Sequence, residues 1–350
     1  MRIAQVAPLT ESVPPKLYGG TERVVAYLTD ALVAMGHDVT LFASGDSETR
    51  AKLAPMHRCA LRFDPSLRDA MAPPFLMMEQ LARRAHEFDV LHCHLDYWPF
   101  SLLTRLGTPF LNTMHGRLDL AELGPIYDCF PDVPLVSISD AQRRPLPNAN
   151  FIGTVHHGLP ADLLRPRPVR PRYLAFLGRI CPEKNPDRAI NIAQRTGIPL
   201  KIAAKVDRVD RAYHDAVISP RIDGRLIDHI GEISDGEKAD FLCGALALLL
   251  PIEWPEPFGL VMIEAMACGT PVIAFNAGSV PEIVEHGVTG FIVRNEAEAC
   301  EAIKRLPELS REVIRARFEE RFTVERMARD YVALYRGIAA RTRPALRLVT

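Results

Sequence analysis

The chain has 350 residues, of which 48% are hydrophobic and 24% are charged, and its 42 basic and 43 acidic residues leave a net charge of -1. A single hydrophobic core rarely grows beyond about 250 to 300 residues, so this length predicts about two domains. The near-zero net charge excludes a basic field over the whole molecule, so no nucleic acid is expected as a partner. The composition favours a small molecule instead.

The seven cysteines are scattered and show no Cys-x-x-Cys spacing. This argues against a disulfide framework or a structural zinc site and favours a reducing compartment. The first residues, Met-Arg-Ile-Ala-Gln-Val-Ala-Pro, resemble a short strand and not a signal peptide. The longest apolar run, residues 245–252, is too short to cross a bilayer. We therefore expect a cytoplasmic protein.

In the N-terminal half, short apolar runs alternate with helical patterns, which is typical of a parallel α/β sheet. A helix is predicted over residues 21–35, where Val24, Leu28 and Leu32 fall on one face and Gly36 follows. The predicted strands cover residues 3–7, 39–43, 90–94, 110–114, 133–137 and 151–155. Together these elements predict one doubly wound sheet.

Gly19 and Gly20 lie in the loop between the first strand and the first helix. Paired glycines let a ligand approach the backbone and the N-terminus of the helix. A nucleotide-binding dehydrogenase would carry Gly-x-Gly-x-x-Gly within a few residues of the strand, and this chain does not. The glycine pair therefore favours a ligand-binding loop, and the missing Gly-x-Gly-x-x-Gly pattern argues against an oxidoreductase.

His92, His94 and Asp96 lie at the end of the third predicted strand. His-x-His-x-Asp at a strand end also begins the metal site of some binuclear zinc hydrolases, so a zinc-dependent hydrolase is one interpretation. Those sites continue with a histidine, whereas Tyr97 follows here, and no companion cluster of ligands is evident. His115 follows the next strand and is a further candidate at the same sheet edge.

Residues 159–172 contain four prolines and four arginines and are predicted to be an irregular linker between domains. The second half repeats the α/β pattern, with strands predicted at 173–177, 200–204, 226–230, 247–250, 272–274 and 290–293. Ser279 with Glu282 predicts a capping box that opens a helix. The segment 323–336 is amphipathic, with Met327, Tyr331, Leu334 and Tyr335 on one side.

Arg179 and Lys184 follow the first strand of the second half, at the carboxyl edge of its predicted sheet. Two cations at such an edge suit a diphosphate, because arginine binds two phosphate oxygens at once and lysine acts as a point charge. Lys205 and Gly231 follow the next two strands and are weaker candidates for the same ligand.

Residues 253–270 place two carboxylates, Glu256 and Glu264, around a strand-to-helix transition. Prolines on both sides of Glu256 keep the backbone extended, so the helix is predicted to begin at Phe258 or Gly259 and to end before Gly269. Its first-turn amides would attract a phosphate. The carboxylates are then roughly 9 to 12 Å apart at about 1.5 Å per residue. This spacing fits a ligand with hydroxyls at both ends and phosphates between them, such as a nucleotide sugar.

The string Glu-Pro-Phe-Gly-Leu-Val-x-Ile-Glu-Ala-Met-Ala-x-Gly-x-Pro-Val-Ile-Ala closely resembles the donor-site motif of retaining glycosyltransferase family 4, the glycosyl transferases group 1. Gly-Arg-x4-Lys, from Gly178 to Lys184, is similar to a second motif of that family, with Pro-Glu-Lys-Asn where the commoner pattern ends in Lys-Gly. The resemblance implies the GT-B fold, with two Rossmann-like doubly wound domains facing across a cleft. It implies an acceptor-binding domain at 1–160, a donor-binding domain at 171–322, and a C-terminal helix at 323–350 that crosses back to the N-terminal domain.

The resemblance also implies roles for these residues. Glu256 would hold hydroxyls of the transferred sugar, Glu264 the ribose, and His115 the sugar from the other domain. Arg179, Lys184 and the helix N-terminus at 258–260 would neutralise the diphosphate. The remaining candidates are the donor-binding residues Gly19, Gly20, Lys205, Gly231, Phe258, Gly259 and Leu260, and the acceptor-side residues His92, His94 and Asp96.

By this resemblance, the protein moves a hexose from a nucleoside diphosphate sugar to an acceptor hydroxyl by front-face attack, with retention of configuration. UDP is the expected carrier because uridine is the family's commonest base. No metal or other cofactor is expected, and the chain lacks the Asp-x-Asp pair that metal-dependent glycosyltransferases use.

The acceptor stays open between a small molecule, a glycan and a lipid, because the N-terminal loops at 48–73 and 117–131 carry no transferable motif. A lipid acceptor would bring peripheral contact with the inner face of a membrane. Two alternatives remain: the zinc hydrolase built on His92, His94 and Asp96, and a non-catalytic nucleotide-sugar-binding protein. The oligomeric state is unknown.

Overall fold

The computed structural model describes residues 1–16 and 19–342, with side chains to residue 340. The chain divides into two compact units. Unit 1 consists of Met1–Gly158 and Val324–Thr350, and unit 2 of Leu159–Thr323. Residues 343–350 of the predicted C-terminal helix lie outside the described residues. The arginine- and proline-rich segment 159–172 contains no helix or strand, and it belongs to unit 2.

The described part of unit 1 contains a seven-stranded parallel sheet with the strand order β3-β2-β1-β4-β5-β6-β7. Its strands are β1 (Arg2–Val6), β2 (Asp38–Ser44), β3 (Lys52–His57), β4 (Val90–Cys93), β5 (Phe110–Thr113), β6 (Leu135–Ser137) and β7 (Phe151–Thr154). The helices between them are α1 (Gly20–Ala34), α2 (Ala72–Arg84), α3 (Phe100–Leu103), α4 (Gly124–Cys129) and α5 (Asp140–Arg143).

The edge strand β3 lies in a region that the sequence predicts as loop. Pro55 interrupts its apolar pattern, and proline is tolerated in a strand at the edge of a sheet because one side of an edge strand makes no ladder hydrogen bonds. The other strands of unit 1 begin and end within two residues of their predicted positions.

The described part of unit 2 contains a six-stranded parallel sheet with the order β10-β9-β8-β11-β12-β13. Its strands are β8 (Tyr173–Arg179), β9 (Leu200–Lys205), β10 (Ile227–Gly231), β11 (Ala245–Leu250), β12 (Val272–Phe275) and β13 (Gly290–Val293). Its helices are α6 (Pro186–Thr196), α7 (Arg211–Tyr213), α8 (Asp235–Cys243), α9 (Leu260–Ala267), α10 (Val280–Ile283), α11 (Glu296–Lys304) and α12 (Arg311–Arg321). The prediction of two Rossmann-like doubly wound sheets is confirmed.

The last helix, α13 (Val324–Thr342), belongs to unit 1 and packs against α1. It buries Met327, Tyr331 and Tyr335, as the amphipathic pattern predicts, while Leu334 is half-buried. No helix in the described part of the chain combines the length and the apolar character that a bilayer span requires.

Both sheets reverse their winding direction at one point, and parallel sheets bind ligands beyond the carboxyl ends of the strands at such points. In unit 1 the reversal lies between β1 and β4, and in unit 2 between β8 and β11. The candidate residues cluster at these two places.

Candidate functional site

Two cations meet at the carboxyl edge of the sheet in unit 2. Arg179 ends β8 directly opposite Lys205, which ends β9. Asp207 lies between them, 3.5 Å from Arg179 Nη1 and 3.0 Å from Lys205 Nζ, and Asp210 lies 3.7 Å from Arg179 Nε. Burial alone would raise the pKa of Asp207, but the hydrogen bond and charge of Lys205 and the charge of Arg179 lower it overall. The two cations are therefore held in place by a carboxylate.

Lys184 forms a second charged contact at the same switch point. It lies on the turn after β8, and its Nζ pairs with Glu256 Oε2, which follows β11. Nζ also lies 4.9 Å from the centre of the Trp254 ring, a favourable cation–π distance. Both charged side chains are largely buried, with 20% of Lys184 and 10% of Glu256 exposed. Lys184, the predicted contact to phosphate, and Glu256, the predicted contact to the sugar, therefore neutralise each other's charge.

Glycines fix the backbone around Glu256. Gly278 has φ of +52°, and a Cβ atom there would lie 2.4 Å from both N and O of Glu256. The adjacent Ser279 donates its backbone N–H to Glu256 O at 3.0 Å. Any side chain at position 278 would displace Glu256. The sequence offers only the turn-forming Asn-Ala-Gly-Ser run as a signal for this contact.

Helix α9 begins at Leu260 and not at Phe258 or Gly259, which corrects the prediction. Gly259 is the N-cap residue with φ of +77° and ψ of 72°, a left-handed conformation that glycine adopts without strain. Phe258 is buried, and its carbonyl accepts a hydrogen bond from Ser279 Oγ at 2.8 Å. This bond also explains why the predicted capping box of Ser279 and Glu282 is absent: no side-chain cap bond forms at α10.

Glu264 points to a lysine that the sequence motifs do not include. Lys238 on α8 donates to Glu264 Oε1 at 2.8 Å and lies 3.1 Å from Asp235. Glu264 is 5% exposed at its side chain and Lys238 is 14% exposed. Within the described residues, no group donates to the second oxygen, Oε2. Glu264 is thus anchored at one oxygen and can accept a ligand hydroxyl at the other.

The other two donor candidates in unit 2 lie at the same sheet edge. Gly231 ends β10 with φ of +80°, and open space surrounds the position where a side chain would be. Lys205 ends the neighbouring strand β9 and is 12% exposed at its side chain. Unit 2 therefore assembles the predicted cations and both carboxylates around one switch point, while Phe258 contributes to the core.

In unit 1, the histidines lie in one buried hydrogen-bonded chain. Gln5 Oε1 contacts His94 Nε2 at 2.9 Å, and His94 Nδ1 contacts His115 Nε2 at 2.8 Å. His92 contacts Thr113 and Tyr335, each at 2.7 Å. Burial lowers the pKa of His92 and His94 well below the ordinary value and lowers that of His115 to about 3. These rings are uncharged near neutral pH.

This chain of contacts fixes which nitrogen of His115 carries the proton. An amide oxygen only accepts, so His94 donates from Nε2 to Gln5 and, being neutral, presents a lone pair at Nδ1. His115 must then donate from Nε2 to His94, which leaves its own Nδ1 as an acceptor. No described residue donates to that atom. His115 is therefore set to accept a hydrogen bond from a ligand hydroxyl.

The same geometry does not favour the zinc hydrolase. Both ring nitrogens of His92 and of His94 already have hydrogen-bond partners. Among residues 1–16 and 19–342, no group of three or more His, Cys, Asp or Glu side chains has the arrangement of a metal site. Asp96, the third residue of the proposed triad, instead borders a cavity described below.

The glycine pair marks the start of α1. Gly20 is the first residue of the helix and Gly19 its N-cap, where a Cβ atom would lie 2.7 Å from Pro15 Cβ. Gly19 is thus required by packing against Pro15. The intervening Leu17 and Tyr18 lie outside the described residues.

Two family models match this chain. The model described as Glycosyltransferase Family 4 matches residues 18–194, half of the chain. The model described as Glycosyl transferases group 1 matches residues 165–321, which include every candidate residue of unit 2.

Among curated proteins, the D-inositol 3-phosphate glycosyltransferase of Mycobacterium tuberculosis is 27% identical to this chain over 279 residues. The matched region covers 64% of this chain and 56% of that protein. The chain therefore spans little more than half the length of the curated relatives it matches.

Solved structures match nearly the whole chain. Sucrose-phosphate synthase from Thermosynechococcus elongatus is 20% identical, with a TM-score of 0.81 and coverage of 97% of this chain and 99% of that one. The Anabaena protein HepE, solved with UDP and glucose, is 17% identical, with a TM-score of 0.75 and coverage of 96% and 100%. At these identities the likeness shows the fold. Together with the family matches, it establishes that the chain belongs to the group 1 glycosyl transferases of glycosyltransferase family 4.

Proposed function

We propose that this protein transfers a hexose from a nucleoside diphosphate sugar to an acceptor hydroxyl with retention of configuration. The observation that carries the proposal is the pair of buried carboxylates, Glu256 and Glu264, on either side of the first turns of α9. Each is held by a lysine from another element, Lys184 or Lys238. Buried paired charges are costly to maintain, and their position beyond the carboxyl ends of the strands at the switch point supports a binding site.

Arg179 and Lys184 are the proposed ligands of the diphosphate, together with the N-terminus of α9. Lys184 then exchanges Glu256 for a phosphate oxygen, which frees Glu256 to accept hydrogen bonds from hydroxyls of the sugar. Glu264 accepts from the ribose at its second oxygen, while Lys238 keeps the first. Lys205 and Gly231 line the same edge as further donor contacts.

In the proposed reaction, the bond between the anomeric carbon and the phosphate oxygen breaks, and its electron pair leaves with the nucleoside diphosphate. The acceptor oxygen forms the new bond on the same face of the sugar, and its proton passes to the departing phosphate. Arg179, Lys184 and the helix N-terminus stabilise the charge that develops on the diphosphate, so the step needs no metal. His115 stays the predicted acceptor for a sugar hydroxyl.

The relatives support the choice of donor. The Anabaena protein HepE was solved with UDP and with UDP-glucose, which supports a uridine nucleotide here. The cytoplasmic location and the peripheral membrane contact stay predictions.

The test is a calorimetric titration of the protein with UDP, GDP and ADP, each with and without a chelator. We expect one of them, UDP by the argument above, to bind with the same affinity in both conditions. The variants Lys184→Ala and Glu264→Ala should lose binding, whereas Lys304→Ala, an exposed lysine on α11, should not. Binding to none of the three nucleotides would reject the proposal.

A second measurement separates a transferase from a non-catalytic binder. Incubation with the matching nucleotide sugar and a panel of alcohols should release the nucleoside diphosphate and form a glycoside with the anomeric configuration of the donor, as seen by NMR. Binding without turnover on any acceptor would instead indicate a sensor, and inversion would reject the front-face mechanism.

A further inference from the structure

A cavity of about 510 Å³ lies at the switch point of unit 1, beyond the carboxyl ends of β1 and β4. This volume is within the range of small-molecule sites, roughly 300 to 1,000 Å³. Its wall is mainly apolar and includes Leu61, Leu67, Met77, Met78, Leu95 and Trp98. A ligand that fills this space exchanges water mainly for hydrocarbon and sulfur contacts.

The polar side chains on the wall are few, and two of them, His94 and Arg62, already have partners. His94 uses both ring nitrogens within the chain of Gln5 and His115. Arg62 pairs with Glu11 at 2.7 Å. Arg62 is the one Lys or Arg among the described residues that line the cavity, so a phosphate or carboxylate bound here would have to displace Glu11 from it.

Asp96 is different, because no described residue forms a hydrogen bond or ion pair with its carboxylate. Its backbone has φ of +48°, and among the described residues only Asn185 shares a positive φ without being glycine. Asn185 directly follows Lys184, in the other candidate site. Asp and Asn adopt this left-handed conformation more readily than other non-glycine residues. Asp96 is thus a solvent-exposed carboxyl group at the wall of an apolar cavity, and in its ionised form it accepts hydrogen bonds.

We propose that the acceptor is an uncharged alcohol with an apolar body, alkyl or aryl, which fills this cavity and donates a hydroxyl hydrogen bond to Asp96. The inference rests on the proposed function and names the substrate class of its acceptor. A phosphorylated acceptor would face the carboxylate of Asp96 and would have to displace Glu11 from Arg62. The neighbouring Met71 and Phe75 are 55% and 69% exposed, so apolar surface continues beyond Ala70 and Pro74 on the cavity wall.

The test compares three probes that share a glucose ring: octyl β-glucoside below its micellar concentration, methyl β-glucoside, and glucose 6-phosphate. Binding is measured by calorimetry and by the fluorescence of Trp98, one of two tryptophans in the chain. We expect octyl glucoside to bind at least tenfold more tightly than methyl glucoside, and glucose 6-phosphate to bind more weakly than either. A smaller octyl preference, or tighter binding of glucose 6-phosphate, would overturn the inference.

Variants of Leu67 and Trp98 test whether octyl glucoside binds in the cavity. Leu67→Lys brings an ammonium to the half-buried wall and should weaken octyl glucoside at least tenfold, while Leu67→Met should bind it as the wild type does. Trp98→Phe should remove the fluorescence change and keep the heat of binding. Unchanged octyl glucoside binding in Leu67→Lys would show that the octyl group binds elsewhere, and it would reject the cavity as the acceptor site.

Titration with UDP keeps this inference separate from the proposed function. The Leu67→Lys protein should bind UDP with the wild-type affinity, which also shows that it is folded. If the wild-type protein binds UDP but shows no octyl preference, the acceptor inference fails alone. If it binds no nucleoside diphosphate, the proposed function fails, whatever the glucosides do.

Discussion

The two units share one topology and differ in what stands at the switch point. Unit 2 places Arg179, Lys184, Glu256 and Glu264 beyond its strands, and each of these charges has an opposite charge nearby. Unit 1 places neutral histidines and an apolar cavity at the equivalent position. The sheet therefore determines where a ligand binds, and the side chains at the strand ends determine which chemistry it meets.

The difference extends to how each unit holds its polar groups. In unit 2, ion pairs orient side chains that can exchange one charged partner for another, which suits a diphosphate. In unit 1, hydrogen bonds between neutral groups fix one tautomer of His115, which suits the recognition of hydroxyls. We expect substitutions in unit 2 to change charge stabilisation and those in unit 1 to change recognition.

The largest effect should come from Lys184→Ala. Removing one group that stabilises developing charge typically costs about 10² to 10³ in rate, so we expect kcat/KM to fall by that factor. The loss should appear in nucleoside diphosphate affinity as well, because Lys184 is a proposed phosphate ligand. Lys304→Ala on α11, whose side chain is 68% exposed, is the matched control and should change neither quantity. Unchanged kcat/KM in Lys184→Ala would remove Lys184 from the site.

The next effect concerns stability and tests whether the charges of unit 2 depend on their partners. Lys238→Met leaves Glu264 buried without its lysine, which should reduce the free energy of unfolding by about 3 kcal/mol. Adding Glu264→Leu should recover most of that loss. Lys304→Met breaks an exposed pair with Glu301 and should cost less than about 1 kcal/mol.

Urea unfolding of these three variants gives the comparison directly. If Lys238→Met is no less stable than Lys304→Met, Glu264 is hydrated despite its burial, and the contrast between paired charges in unit 2 and neutral groups in unit 1 would weaken.

Most of the fold could be predicted from the sequence, because apolar runs, glycine stops and alternating patterns are local signals. The edge strand β3 was missed because Pro55 breaks its pattern. Glu256 and Glu264 lie in one continuous sequence motif, and Lys184 lies in another. Lys238 lies in neither motif, and only the packing of α8 against α9 brings it to Glu264, 26 residues away. Contacts made by tertiary packing leave no spacing rule in the chain.

The same limit explains the errors near α9 and in unit 1. Ser279 matches a capping-box pattern, but its hydroxyl is used by the carbonyl of Phe258, which the pattern cannot include. Gln5 and His94 are 89 residues apart, so nothing local links them, and Gln5 was not among the predicted residues. The histidines were found by type, while their shared hydrogen-bonded chain required the fold.

A third prediction follows from the neutral histidines and separates the units by pH. The folded protein lowers the pKa of His115 to about 3 from an ordinary value of 6.5, so the unfolded chain binds more protons between these values. The contribution of the neutral histidine to the free energy of unfolding is then fully present above pH 6.5. It is lost as the pH drops, by up to about 1.4 kcal/mol per pH unit for each such histidine.

Urea unfolding at pH 7.5, 6.5 and 5.5 measures this slope. His115→Gln should reduce the slope without changing its sign, since His92 and His94 are shifted in the same direction. A free energy of unfolding that does not change across this range would mean that the histidines are hydrated, and the contrast between the units would be lost.

The smallest effect, and the finest test of the comparison, comes from Gln5. Gln5→Leu removes the oxygen that accepts from His94, so the tautomer of His115 is no longer fixed. We expect kcat/KM to fall about tenfold, or about 1.4 kcal/mol, with UDP affinity unchanged because the proposed nucleotide contacts lie in unit 2. Gln5→Glu keeps an accepting oxygen at His94 and loses the amide that donates to Tyr335, so it tests the contact with His94 separately.

NMR of protein labelled with ¹⁵N-histidine distinguishes positioning from a merely structural role. In the wild type, His115 should carry its proton on Nε2, as the contact with His94 requires. In Gln5→Leu, both tautomers should be populated, because His94 is free to donate from either nitrogen. A wild-type His115 with its proton on Nδ1 would exchange donor and acceptor at each hydrogen bond of the series Gln5, His94 and His115. His115 would then donate a hydrogen bond to a ligand oxygen instead of accepting one from a ligand hydroxyl.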